Sequence, residues 1–159
     1  MPSLPAIGEP APEFELEAAP GQRVRLSDFR GKKNVVLFFY PKDETAGCTV
    51  EACTFRDSHE AFLTAGAEVL GVSRDSLDSH DRFAARHQLP YRLLSDPKGE
   101  VAARYGLHKA LGLLPGRVTF VIDRQGIIRH VTDSRLRFKQ HVTDALAIVQ
   151  ELSPAPSDA

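Results

Sequence analysis

The stretch "NVVLFFY" at residues 34–40 restricts the fold of this chain more than any other segment. After one asparagine it is uninterruptedly apolar, and it lies between Lys33 and Pro41. It has neither the alternation of a half-exposed strand nor the length of a helix, so it predicts a strand buried on both faces of a sheet. A sheet covered on both faces needs crossover connections, and the sequence on either side supplies candidates. Beyond the loop 41–47, residues 48–65 set Val50, Cys53, Phe55 and Phe62 among polar residues, and Gly66 follows as a helix terminator. "AEVLGVS" (67–73) predicts a second buried strand, 76–88 a helix, and "GEVAARYGL" (99–107) a short helix ending near Gly106. "RVTFVID" and "GIIRHV" enclose "RQ" and Gly126 as an antiparallel hairpin, and 138–152 has the spacing of an amphipathic helix. Upstream, after a Pro-rich opening from Pro2 to Pro12, "FELEA" and "QRVRL" flank "APG" as an early hairpin, and Ser27 could cap the turn "SDFRG".

Strand, crossover helix and parallel strand, then further helix and a closing hairpin and helix, imply an α/β sandwich. The expected architecture is thioredoxin-like: a mixed central sheet flanked by helices, with an N-terminal hairpin extension. It forms a single domain over residues 1–152 and leaves 153–159 as a disordered tail. The 20 basic and 21 acidic residues are dispersed and leave a net charge of −1, so no basic stripe suggests nucleic acid or an anionic membrane. No run reaches the roughly 18 apolar residues of a membrane span, and the opening "MPSLPAIGEPAPEF" lacks a basic segment followed by an apolar one. A cytoplasmic location is therefore expected.

A chain of this length can bury a core without covalent staples, which leaves its two cysteines to be explained. Both lie in "YPKDETAGCTVEACTFRD", as Cys48 and Cys53. In a reducing compartment paired cysteines are more often catalytic, redox-active or metal-binding than structural. A helix beginning beside Cys48 places that thiol at the carboxyl edge of the sheet, where α/β folds bind ligands, and in the field of unpaired N–H groups that favours a thiolate. Thr45 could set a hydroxyl against the sulfur or a bound oxygen, and Pro41 fixes the loop's start. In an intact helix, Cα atoms five residues apart are separated by roughly 8.6 Å, beyond the roughly 7 Å a disulfide tolerates. If the pair bonds, the first turns must unwind. Cys53 could also be an ordinary small buried residue. Zinc is disfavoured, since the six histidines show no ligand spacing. Glu51 reads as a helix-start carboxylate that could orient an arginine, and Lys42, Asp43 and Glu44 as a solvated loop.

"FFYPKDETAGCTVEACTFRD" resembles the active-site segment of the peroxiredoxins, specifically the Q-type branch, also called bacterioferritin comigratory proteins. The family pattern of proline, three residues, threonine or serine, two residues and peroxidatic cysteine falls on Pro41, Thr45 and Cys48. The Q-type resolving cysteine, five residues on, falls on Cys53. "IGEPAPEFEL", "LLSD" at 93–96 and "GRVTFVID" at 116–123 also resemble that branch, so the likeness spans nearly the whole chain. Ala46 stands where the Q-type loop usually has a second proline, which predicts a looser backbone. From residues alone, Arg117 opens a strand as a surface residue; the resemblance makes it the active-site arginine.

The resemblance implies a peroxidase for hydrogen peroxide and organic hydroperoxides. Cys48 would form a sulfenic acid, Cys53 would resolve it as an intramolecular disulfide, and thioredoxin or a related dithiol protein would recycle it without any cofactor. It also implies a monomer, although apolar residues near Phe14 or Leu111–Leu114 could as easily meet a second subunit as a core. Two other readings stay open. A thioredoxin-type disulfide oxidoreductase is disfavoured because those enzymes space their cysteines two residues apart. A non-catalytic redox sensor or holdase would use the same helix opening to change a binding surface.

Overall fold

A computed structural model of the chain describes residues 4–107, 117–134 and 137–152. The anticipated tail and Leu111–Leu114 lie outside the described residues. Within them, β1 (Glu15–Ala19), β2 (Gln22–Arg25), β3 (Asn34–Phe39), β4 (Ala67–Ser73), β5 (Arg92–Ser95), β6 (Val118–Ile122) and β7 (Ile128–Asp133) form one mixed sheet. Its order is β2-β1-β5-β4-β3-β6-β7. The helices are α1 (Ala46–Asp57), α2 (His59–Thr64), α3 (Leu77–His87), α4 (Glu100–Arg104) and α5 (Phe138–Leu152). This is the expected thioredoxin-like sandwich with its N-terminal hairpin.

Every residue of β3 is buried, and the period of two sends its side chains to two separate cores. Val35, Leu37 and Phe39 join Phe14, Leu94, Tyr105 and Phe120 on one face. Val36, Phe38 and Tyr40 join Phe55, Phe62, Phe83, Val142 and Val149 under the helices of the other. Phe38 stacks on Phe55 with ring centroids 4.4 Å apart, which fixes α1 directly over the strand that leads into it.

Sheet topology positions the site. β3 pairs in parallel with β4 on one side, through the crossover made by α1 and α2, and antiparallel with β6 on the other. The strand order therefore divides at the carboxyl end of β3, a position where open α/β sheets leave a crevice. Because Phe39 pairs with Val118, the residue before β6, Arg117, arrives at that same end.

In secondary structure the molecule departs from the sequence reading in three places. The helix expected over 48–65 is two helices broken at Ser58, a residue type that favours caps over helix interiors. β5, only four residues with an exposed arginine first, was not anticipated as a strand. Ser27 lies inside a 3-10 turn (Leu26–Phe29), and the cap-like bond is the Asp28 carboxylate accepting from the Arg25 N–H at 3.0 Å. Of the two places left open for Phe14, a second subunit or the core, it occupies the core, 1% exposed. No described helix is long and apolar enough to cross a membrane.

Candidate active site

Thr45, in extended conformation, precedes α1, and Cys48 is the third residue of the helix. Its thiol is free and 1% exposed, among the first-turn N–H groups that have no intrahelical acceptor. The sulfur accepts a hydrogen bond from Arg117 Nη2 at 3.5 Å, while Arg117 Nη1 donates to Glu51 Oε1 at 2.7 Å. Burial works against the charge of this guanidinium, but Glu51 and Cys48 outweigh it and raise its pKa. The Phe138 ring covers Arg117, with Cζ 4.7 Å from the ring centroid. This approach needs a glycine at position 47. A Cβ there would meet Phe138 Cζ at 2.6 Å and Arg117 Nη2 at 3.2 Å.

Glu51 is fully buried one turn beyond Cys48. Burial raises its carboxyl pKa to about 7 although Arg117 opposes the shift. Oε1 takes the guanidinium, but Oε2 has no hydrogen-bond partner among the described residues and lies 3.5 Å from His141 Nδ1. His141 is itself fully buried. Its Nδ1 is 2.7 Å from Thr119 Oγ1, and its Nε2 is 2.7 Å from the Ser134 carbonyl. Burial holds its pKa below the ordinary histidine value against the bond to Ser134, and Arg117 adds to the lowering.

Cys53 is free and half-buried on the same helix, which runs unbroken from Ala46 to Asp57. The helical separation of roughly 8.6 Å between the two Cα atoms therefore applies, and no disulfide can close in this conformation. The second half of α1 is tied down by the Tyr91 hydroxyl on the Ala52 carbonyl at 2.7 Å and by Arg56 Nη1 on the His87 carbonyl at 2.8 Å.

Ahead of the helix, the Tyr40 N–H makes the last bond to β4, at the Val72 carbonyl, and half-buried Pro41 has no N–H to extend the ladder. Thr45 is exposed, and its hydroxyl donates to the Lys42 carbonyl at 2.8 Å. Of the two partners expected for this hydroxyl, the Cys48 sulfur is not the one it bonds among the described residues; its proton closes the loop.

The sequence pattern of the AhpC/TSA family matches residues 7–131. The chain belongs to the AhpC/TSA family, as a peroxiredoxin. It is similar to Peroxiredoxin Q, chloroplastic, of Suaeda salsa, 46% identical over 91% of this chain and 68% of that protein. Peroxiredoxin Bcp of Bacillus subtilis is 42% identical over 92% of this chain and 96% of its own. The crystal structure of peroxidoxin BcpB from Mycobacterium tuberculosis superposes with a TM-score of 0.86 at 38% identity, covering 93% of this chain and 98% of that one. The protein is thus a thiol-dependent peroxidase of the Q type.

Two features of this peroxiredoxin's site escaped sequence reasoning. Asp43 is not solvated: it is 4% exposed and accepts from the Tyr40 hydroxyl at 2.6 Å, the Ser79 hydroxyl at 2.8 Å and His80 Nδ1 at 2.8 Å. His80 Nε2 faces the Leu94 carbonyl at 3.0 Å, and the Asp43 N–H donates to Asp75 at 2.8 Å. One ligand atom each from Asp43, Asp75 and His80 lies within 4.8 Å of the others. Internal hydrogen bonds occupy these groups, so the cluster reads as the anchor of the peroxiredoxin's cysteine loop. Between Asp43 and the helix, Glu44 is held at φ 65° and reaches His87 at 3.4 Å, which bends the chain back toward α3. The second omission, His141, left a signal: a histidine next to Val142 on the face of α5 that also buries Ala145 and Val149.

Proposed function

We propose that this peroxiredoxin reduces hydrogen peroxide and organic hydroperoxides with Cys48 as the attacking thiolate and Cys53 as the resolving thiol, and that thioredoxin or a related dithiol protein recycles it. The observation that carries the reading is the Arg117 guanidinium against the Cys48 sulfur at the start of a helix that also bears Cys53. The thiolate attacks the terminal oxygen of ROOH and the O–O bond breaks. The departing RO⁻ takes a proton to become water or an alcohol, and Cys48 is left as a sulfenic acid. Arg117 donates to oxygen as negative charge builds on it. Thr45, whose own proton is committed to Lys42, offers lone pairs to the peroxide O–H. Pro41 sets where the loop leaves the sheet.

The start of α1 then opens, and Cys53 thiolate attacks the sulfenic sulfur and displaces its oxygen as water. The dithiol reductant reopens the disulfide by exchange. A cytoplasmic, monomeric protein is part of the proposal, because a reducing compartment keeps both thiols free between turnovers. The test is rapid mixing of the reduced protein with one equivalent of hydrogen peroxide, followed by alkylation and intact mass. A Cys48–Cys53 disulfide is expected in the wild type. Cys53→Ser should consume one equivalent quickly and stop as a sulfenic acid, and Cys48→Ser should consume none. Steady turnover by either variant would overturn the role given to that cysteine.

A further inference from the structure

Among the described residues, Glu51 Oε2 has no hydrogen-bond partner, a feature at the centre of the site that the peroxide chemistry leaves unexplained. A carboxylate takes an Arg117 bond on Oε1 and presents Oε2 to the ring nitrogen of a histidine as buried as itself. His141 Nε2 faces the Ser134 carbonyl, which can only accept, so the proton on that nitrogen is fixed. Nδ1 is then the group that can vary. Without a proton it accepts from the Thr119 hydroxyl at 2.7 Å and offers nothing to Oε2, 3.5 Å away, so a carboxylate oxygen is left without a donor in a dry site, which costs free energy. One proton removes that cost: on Oε2 it neutralises the carboxyl, and on Nδ1 it gives Oε2 a donor while the Thr119 hydroxyl turns to accept.

We propose that His141 is a positioning residue for the peroxide step: its Nδ1 and Glu51 Oε2 hold one proton between them, so that the Arg117 guanidinium keeps its full charge for the Cys48 sulfur. This rests on the roles given above to Cys48 and Arg117. With the proton in place, Glu51 no longer competes with the thiolate for the Arg117 guanidinium. Without it, the Glu51 carboxylate neutralises the guanidinium from the opposite side at 2.7 Å, and the thiolate loses its counter-charge. The raised pKa of Glu51, caused by burial against the pull of Arg117, agrees with a proton retained around neutrality. The other charged and titratable groups facing the pair are Cys48 on α1, Arg117 before β6, Tyr91 before β5, Asp133 on β7 and Asp144 on α5. Asp133 and Asp144 both favour a proton on the His141 ring, and only Arg117 opposes it by charge.

The experiment is the pH profile of the second-order rate constant with hydrogen peroxide for wild type, His141→Gln, Glu51→Gln and the double variant. The amide of Glu51→Gln mimics the protonated carboxyl permanently, with an N–H donor toward Nδ1. His141→Gln should bring the alkaline fall in rate to lower pH and slow the enzyme by about tenfold near pH 8, where Glu51 alone loses its proton. Glu51→Gln should abolish that alkaline fall, and adding His141→Gln to it should change nothing further. An unchanged profile in His141→Gln would overturn the inference, as would a uniform loss that Glu51→Gln does not suppress. A readout in the wild type stands apart from folding of the variants and from peroxidase activity. The infrared band of a protonated buried carboxyl and the ring resonances of His141 should titrate together, and separate titrations would equally overturn the shared proton.

Discussion

Gly47→Ala separates stability from chemistry at a single methyl group. Replacing glycine with alanine in a helix normally stabilises by about 0.8–1.0 kcal/mol, and Gly47 sits in the first turn of α1. Here the new Cβ would lie 2.6 Å and 2.8 Å from two atoms at the far edge of the Phe138 ring, and 3.2 Å from Arg117 Nη2. Phe138 is half-buried at the start of α5 and can swing aside. The loss is then its stacking on Arg117, worth about 0.5–2 kcal/mol. Gain and loss nearly cancel, so the change in unfolding free energy should stay within about 1 kcal/mol. The rate constant with peroxide should fall by about ten- to a hundredfold, because Arg117 loses both its cover and its position against the sulfur. Stopped-flow peroxide consumption and denaturant unfolding read the two quantities on one preparation. Phe138→Ala alone should slow the enzyme less, and the double variant should be no slower than Phe138→Ala, because the ring that the methyl group displaces is gone. A wild-type rate in Gly47→Ala, or losses that simply multiply in the double variant, would refute the claim that glycine is there to admit Phe138 and Arg117.

Arg117→Ala should lower the peroxide rate constant by about a hundredfold or more. Its stability loss should be smaller at mildly acid pH than at alkaline pH, since the abandoned Glu51, with its pKa already about 7, takes a proton when the medium allows. Unfolding curves either side of neutrality check this, and an equal loss at both would contradict it. Asp43→Asn should cost about 2–4 kcal/mol near neutral pH by loosening the buried bonds to Tyr40, Ser79 and His80. Burial works to raise the Asp43 pKa, but bonds from His80, Tyr40 and Ser79 outweigh it and hold it below the ordinary value of 3.8. That stabilisation is complete above the unfolded pKa and fades as pH falls through the folded one. The gap between wild type and Asp43→Asn should therefore narrow in acid, and a gap that widened would reverse the assigned sign.

The legible parts of this fold are those where one local rule dominates. An apolar run of strand length, as in Val35–Phe39, can only be a strand covered on both faces, and Gly66 and Gly126, at φ 77° and 81°, mark turns that side chains disfavour. β5 was hidden because its four residues carry too few apolar positions to show a period. Within the site, Cys48, Cys53 and Thr45 lie in one segment and could be read together. Arg117 becomes legible once β6 is known to run antiparallel to β3, because register then brings the residue before Val118 to the end of Phe39. Asp43 left no signal as a site residue, and His141 signalled only a place on the buried face of α5. Their partners, His80 for one and Glu51 for the other, are 37 and 90 positions away in sequence, and only packing selects them. Charged residues in a polar loop look solvated until the loop folds back over the sheet.

The same geometry that activates Cys48 also gives the oxidised enzyme a reason to open. In the reduced form, the charge-assisted bond from Arg117 to the sulfur, 3.5 Å long, ties the first turn of α1 to β6. Bonds of this class contribute about 1.5–3 kcal/mol. On the proposed sequence of steps, attack on peroxide converts the thiolate to a neutral sulfenic acid, so this tether weakens just when Cys53 must approach. A weakening of about 1.4–2.7 kcal/mol raises the open population of the first turns roughly ten- to a hundredfold. The second half of α1 keeps its bonds to the Tyr91 hydroxyl and the His87 carbonyl, so opening runs from the Cys48 end and stops before the helix is lost. Asymmetric tethering thus lets one helix serve both steps: rigid while the thiolate waits for peroxide, and loose at its first turns once the sulfur has lost its charge.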